Sequence, residues 1–103
     1  MIDAIEIIIQ NGFHNQISAY IVYKNKVCYL NDKKYEVTDE FLNEVKSIIF
    51  TWKNEYGYTN NIDEEEFQVK VIASKQEDIY HGKGNYPNNY GRLKELLGGL
   101  NGR

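Results

Sequence analysis

Apolar and polar residues alternate along the first third of the chain, and the period changes near residue 38. In residues 2–10, Ile5, Ile7 and Ile9 fall on one side of an extended chain, with Ala4 and Ile8 on the other, because successive strand side chains point to opposite faces. A strand apolar on both sides belongs at the centre of a sheet or under two layers. Asn11-Gly12 follows, a pair that tolerates the positive φ of a tight hairpin. Residues 16–24 repeat the alternation through Ile17, Ala19, Ile21 and Tyr23, and Asn25 offers the next turn. Residues 26–30 read as a third strand, and Asn31-Asp32 turns it into a fourth at 33–37. Short loops between these strands predict an antiparallel meander.

A helical period takes over at Thr38, a good N-cap followed by Asp39 and Glu40 in the first turn. Phe41, Leu42, Val45, Ile48, Ile49, Trp52 and Tyr56 recur within an arc of about 120°. The spacing predicts one helix over 38–56 with Gly57 as its C′ residue, packed on the sheet with Trp52 buried. Phe50 projects from the opposite side. Residues 58–65 are polar and predict a loop. Strand alternation returns at 66–74, where Phe67, Val69, Val71 and Ala73 face one way and Gln68 and Lys70 the other. A turn over 75–77 leads to a last strand around 78–82.

The stretch HGKGNYPNNYGRL then concentrates two glycines, a histidine, a lysine and the single proline. It lacks the G-x-x-x-x-G-K-[ST] pattern of a phosphate-binding loop, and Gly82-Lys83-Gly84 has no third glycine at the dinucleotide-binding spacing. As a connector it makes better sense. Gly82 and Gly84 let the strand end and bend, Pro87 holds Tyr86 extended, and Asn88 or Asn89 caps a helix running from 90 to 97. Tyr90, Leu93, Leu97 and Leu100 line one side of that helix, and Gly98-Gly99 ends it. The whole predicts a single α+β domain over 1–103, in the order ββββαββα. Its mostly antiparallel sheet has five or six strands, with one long amphipathic helix packed on it and a short C-terminal helix.

Composition narrows function mainly by exclusion. The 103 residues carry a formal net charge of −3, which gives no basic footprint for general nucleic-acid binding. Nine tyrosines, with many asparagines, isoleucines and lysines, share AT-rich codons, so the tyrosines alone do not define a binding surface. The start lacks a basic n-region, and Asp3 and Glu6 interrupt its apolar run, which predicts a cytoplasmic protein without a signal peptide. No apolar stretch approaches the roughly 20 residues that span a bilayer. Cys28 has no partner for a disulfide and sits mid-strand among apolar neighbours, where cysteine is a small hydrophobe rather than a nucleophile. No H-x-H, H-E-x-x-H or C-x-x-C spacing appears, so neither a metal nor another cofactor is expected.

Three functions remain as expectations. The leading one is a protein-binding module of the adaptor, inhibitor or immunity type, without catalysis. Its contact residues would be Phe50, Tyr58, Tyr80, His81, Lys83, Tyr86 and Asn88, with self-association through Phe50 and the acidic run 63–66 meeting a basic partner. The second is a metal-independent ribonuclease, in which His14 and His81 exchange protons and Lys83 steadies the phosphorane. The bland reading, two unrelated surface histidines, competes directly with it. The third is single-strand nucleic-acid binding through Tyr20, Tyr23, Tyr29 and Tyr35 with nearby lysines. It is weakened because Tyr20 and Tyr23 have opposite parity.

Overall fold

The computed structural model describes residues 1–12, 15–61 and 63–101. Its elements are β1 (Ala4–Asn11), β2 (Asn15–Val22), β3 (Val27–Leu30), β4 (Lys33–Glu36), α1 (Asp39–Ile49), β5 (Glu55–Tyr58), β6 (Glu65–Ala73), β7 (Gln76–Lys83) and α2 (Tyr90–Leu100). The seven strands form one sheet in the order β4-β3-β2-β1-β6-β7-β5. All neighbours are antiparallel except β5, which runs parallel to β7. The fold is therefore α+β with a mostly antiparallel sheet, as the sequence predicts. β1, apolar on both faces, is the central strand.

Alternation and register together sort the side chains. Ile5, Ile7, Ile9, Ala19, Ile21, Cys28, Leu30, Phe67, Val69 and Val71 share one face and form the core with residues of both helices. From α1 come Phe41, Leu42, Val45, Ile48 and Ile49, and from α2 Tyr90, Leu93, Leu97 and Leu100. Both helices thus lie on the same side. Tyr23 donates its hydroxyl to the Leu42 carbonyl at 2.8 Å, and Tyr35 bonds Asn101 at 3.1 Å. Arg92 of α2 bonds Glu44 of α1. Among the described residues no helix lies on the other sheet face.

Several boundaries differ from the sequence reading. The sheet has seven strands rather than five or six, because residues 55–58, read as helix end and loop, form β5. The first helix is 11 residues long and stops at Ile49 instead of reaching 56. Its start matches: Thr38 Oγ1 accepts from the Phe41 amide at 3.1 Å. Its end is closed by local bonds and by one tertiary contact. The Ile48 carbonyl, in the last turn where helical partners run out, receives the Thr51 amide at 3.3 Å, the Thr51 hydroxyl at 2.8 Å and the Asn89 side-chain amide at 3.3 Å. Trp52 is buried all the same, at 8% exposure, while Phe50 is 57% exposed. Gly57 does not cap a helix. Its φ of +87° lies within the register shift between β5 and β7.

Gly98 and Gly99 do not end α2, which continues to Leu100. Burial of Leu97 and Leu100 on the core outweighs the roughly 1 kcal/mol that a mid-helix glycine costs. A Cβ at either glycine would meet nothing within 4 Å. Gly98→Ala should therefore raise stability by about 0.5–1 kcal/mol, read as a higher urea midpoint at unchanged slope.

Candidate functional site

The loop from β7 into α2 is held by its own polar side chains. Tyr86 stacks on Tyr90 at 4.8 Å, donates its hydroxyl to the Glu65 carbonyl at 2.7 Å and accepts from the Gly84 amide at 3.2 Å. Tyr90 donates to the Glu65 carboxylate at 2.5 Å, and the Lys94 ammonium reaches both oxygens of that carboxylate at 2.9 and 3.1 Å. Asn89 stands at the N-cap of α2 but makes no side-chain capping bond. It accepts from the Trp52 indole at 2.6 Å and donates to the Ile48 carbonyl and Thr51 hydroxyl. One asparagine thus caps α1 from across the molecule. Gly84, with φ +78°, makes the bend, whereas Gly82 stays inside β7.

The residues expected to form a binding site are dispersed. Phe50 lies at the end of α1, under the Lys46 ammonium at 5.5 Å. Tyr80 turns inward to Trp52, and Tyr86 packs on Phe67. Asn88 lines a cleft of about 520 Å³ with Trp52, Tyr56 and Pro87. His81 and Lys83 share the opposite, helix-free face, where the His81 ring meets Tyr58 at 5.5 Å. His81 Nδ1 is buried with no hydrogen-bond partner among the described residues. His14 lies outside the described residues, so the two-histidine pairing is not placed.

What the structure does bring together is the helix-free sheet face. Register aligns four rows across it. One row reads Lys34–Tyr29–Tyr20–Glu6–Lys70–Ile79 from β4 to β7. The row beside it reads Glu36–Val27–Val22–Ala4–Ile72–Glu77. The next two carry Ser18, Ile8, Gln68 and His81, then Gln16, Gln10, Glu66, Lys83 and Tyr58. Tyr20 and Tyr29 are 40% and 42% exposed, Ile79 is exposed, and Val22 and Ile72 are half-buried. At the strand ends a cleft of about 930 Å³ lies between this patch and α1, lined by Ala4, Tyr20, Val22 and Ile72 from the sheet and by Leu42 and Asn43 from the helix. Of the four meander tyrosines, only Tyr20 and Tyr29 lie here; Tyr23 and Tyr35 turn to the core side.

The titratable groups of the interior fit a structural role. Burial pushes the Cys28 thiol up to about 11 and the Tyr23 phenol up to about 12. Burial, then the hydrogen bond to Glu65, pushes the Tyr90 phenol far above its ordinary value. In each case the folded state favours the protonated form, so the stabilisation is complete below the unfolded pKa and is lost as pH rises. The window opens at the ordinary thiol value of 9.0 and extends through about 12. The melting temperature should hold to about pH 9 and fall progressively above it, as circular-dichroism melts across pH will show.

No cluster of three or more histidine, cysteine, aspartate or glutamate side chains that could hold a metal occurs among the described residues. None of their helices is long and apolar enough to cross a membrane. No family model, curated protein or solved structure matches this chain.

Proposed function

We propose that this chain is a protein-binding module without catalytic activity, of the adaptor, inhibitor or immunity type, acting in the cytoplasm, and that its contact surface is the helix-free face of the sheet. The observation that carries the reading is the pair of adjacent exposed tyrosines, Tyr20 and Tyr29, set beside an apolar row in which Val22 and Ile72 are half-buried and Val27 and Ala4 buried. Rigid, amphipathic tyrosines beside apolar area are the usual anchors of protein contacts. Charge favours protein over nucleic acid. Among the described strand residues this face carries Lys34, Lys70 and Lys83 against Glu6, Glu36, Glu55, Glu66 and Glu77, an acidic balance that repels phosphates.

A photoreactive benzophenone residue placed at position 20 tests the proposal in the cells that make the protein. Adducts should form from position 20 and not from position 95, which is exposed on α2. Equal labelling from both positions, or none from 20, would remove the sheet face from consideration.

A further inference from the structure

Across β4 to β1 the row Lys34–Tyr29–Tyr20–Glu6 sets opposite charges on the two sides of a tyrosine pair; Lys34 and both tyrosines are exposed, and Glu6 is half-buried beside Lys70 of β6. Among the described residues neither Lys34 nor Glu6 makes an ion pair within the chain; the five pairs join Lys26 to Asp39, Lys70 to Glu77, Arg92 to Glu44 and Glu95, and Lys94 to Glu65. A twofold axis parallel to the strands, between β2 and β3, reverses the row onto itself. It sets Lys34 over Glu6 of a second copy and Tyr29 over its Tyr20. In the adjoining row the same operation sets Val27, which is buried, over the half-buried Val22, and Glu36 over the buried Ala4. Such isologous contact, in which i meets j and j meets i, is the commonest form of association between identical chains.

From these matches we infer that the helix-free face pairs with a second copy of this chain, face to face, locked by two Lys34–Glu6 ion pairs around a tyrosine centre. The inference rests on reading that face as a contact surface. Stacked sheets lie about 10 Å apart and cross at roughly 30°. Lys34 and Glu6 stand one and a half strand spacings, about 7 Å, from the axis. A crossing of that size displaces each from its mate by only about 4 Å, which flexible lysine and glutamate side chains span. The tyrosine rings fill the space between the sheets, as side chains do in a sandwich. Four overlapping strands cover less than a standard interface, so the dimer is weak and concentration-dependent.

Sedimentation equilibrium over concentrations from roughly 1 µM to 1 mM, a span suited to weak interfaces, tests this. The native protein should dimerise. Lys34→Glu and Glu6→Lys should each weaken the dimer at least about tenfold, because each sets like charges opposite one another twice. The double variant should recover the native constant within about threefold, since the pairs re-form with reversed sign. That recovery also shows that the single variants fold. A monomer at every concentration overturns the second copy as occupant but leaves the contact face to the cross-linking result. A dimer indifferent to both reversals, or one that the double variant fails to restore, overturns the pairing. So does a dimer abolished by Phe50→Ser alone, which puts the interface at the end of α1.

Discussion

Phe67→Ala lowers the melting temperature by roughly 20 °C, the equivalent of about 4 kcal/mol for a domain of this size. Phe67 is fully buried on β6 and lies at the centre of an aromatic cluster. Its ring meets Tyr90 at 5.1 Å, Trp52 at 5.5 Å, and Tyr56 and Tyr86 each at 6.1 Å. These four come from α2, the segment after α1, β5 and the β7–α2 loop, so one ring joins four parts of the chain to the sheet. Truncation removes the transfer free energy of the ring and leaves a cavity that four anchored neighbours cannot fill. Since whole-domain stabilities run to about 5–15 kcal/mol, this single change brings the fold close to its limit. Chemical denaturation with unchanged slope checks it; a loss below about 1 kcal/mol would show that the cluster is not packed as described.

Gly82→Ala destabilises by about 3 kcal/mol, at the upper end for overpacking. A Cβ at Gly82 would stand 2.7 Å from the Asn85 carbonyl oxygen and 2.9 Å from both Phe67 and Tyr56. The oxygen belongs to backbone, and Phe67 is held by the rings around it, so neither yields readily. The contrast with Gly98 is the useful control: alanine there enters open space and should stabilise. Urea midpoints for the two variants should therefore move in opposite directions. Equal shifts of the same sign would mean that β7 does not approach the 85–86 backbone so closely.

Much of the fold is legible in the letters. Alternation places β1, β2, β6 and their inward faces, and Thr38 with the 3.6-residue period places the start of α1. The end of α1 is illegible for a physical reason. Trp52 and Tyr56 fall at helical spacing, but both reach Phe67 from non-helical chain, and one of the groups that satisfy the last turn of the helix is Asn89, 41 residues away from Ile48. β5 escapes because it has four residues, contains a glycine at positive φ, and pairs with β7 in parallel through a non-local contact. Gly98-Gly99 looks like a helix stop because local propensity gives no hint that Leu100 will be buried.

The candidate surface is half legible in the sequence. Parity alone separates Tyr20 from Tyr23, and the solvent exposure of Phe50 also follows from its angle on the helix. That Tyr20 stands beside Tyr29, with Lys34 on one flank and Glu6 on the other, depends on the pairing of four strands. The polar loop at 81–89 is rich in reactive side chains. Its tyrosine and one of its asparagines are spent on Glu65, Trp52 and the end of α1.

The most direct measurement is hydroxyl-radical footprinting of the tyrosines, comparing the dilute purified protein with the protein inside its own cells. Tyr20 and Tyr29 should react readily when purified and become protected in the cell, while Tyr58, 53% exposed at the far edge of the same face, reacts alike in both. Equal oxidation of Tyr20 and Tyr29 in the two states would contradict the sheet face as the contact surface.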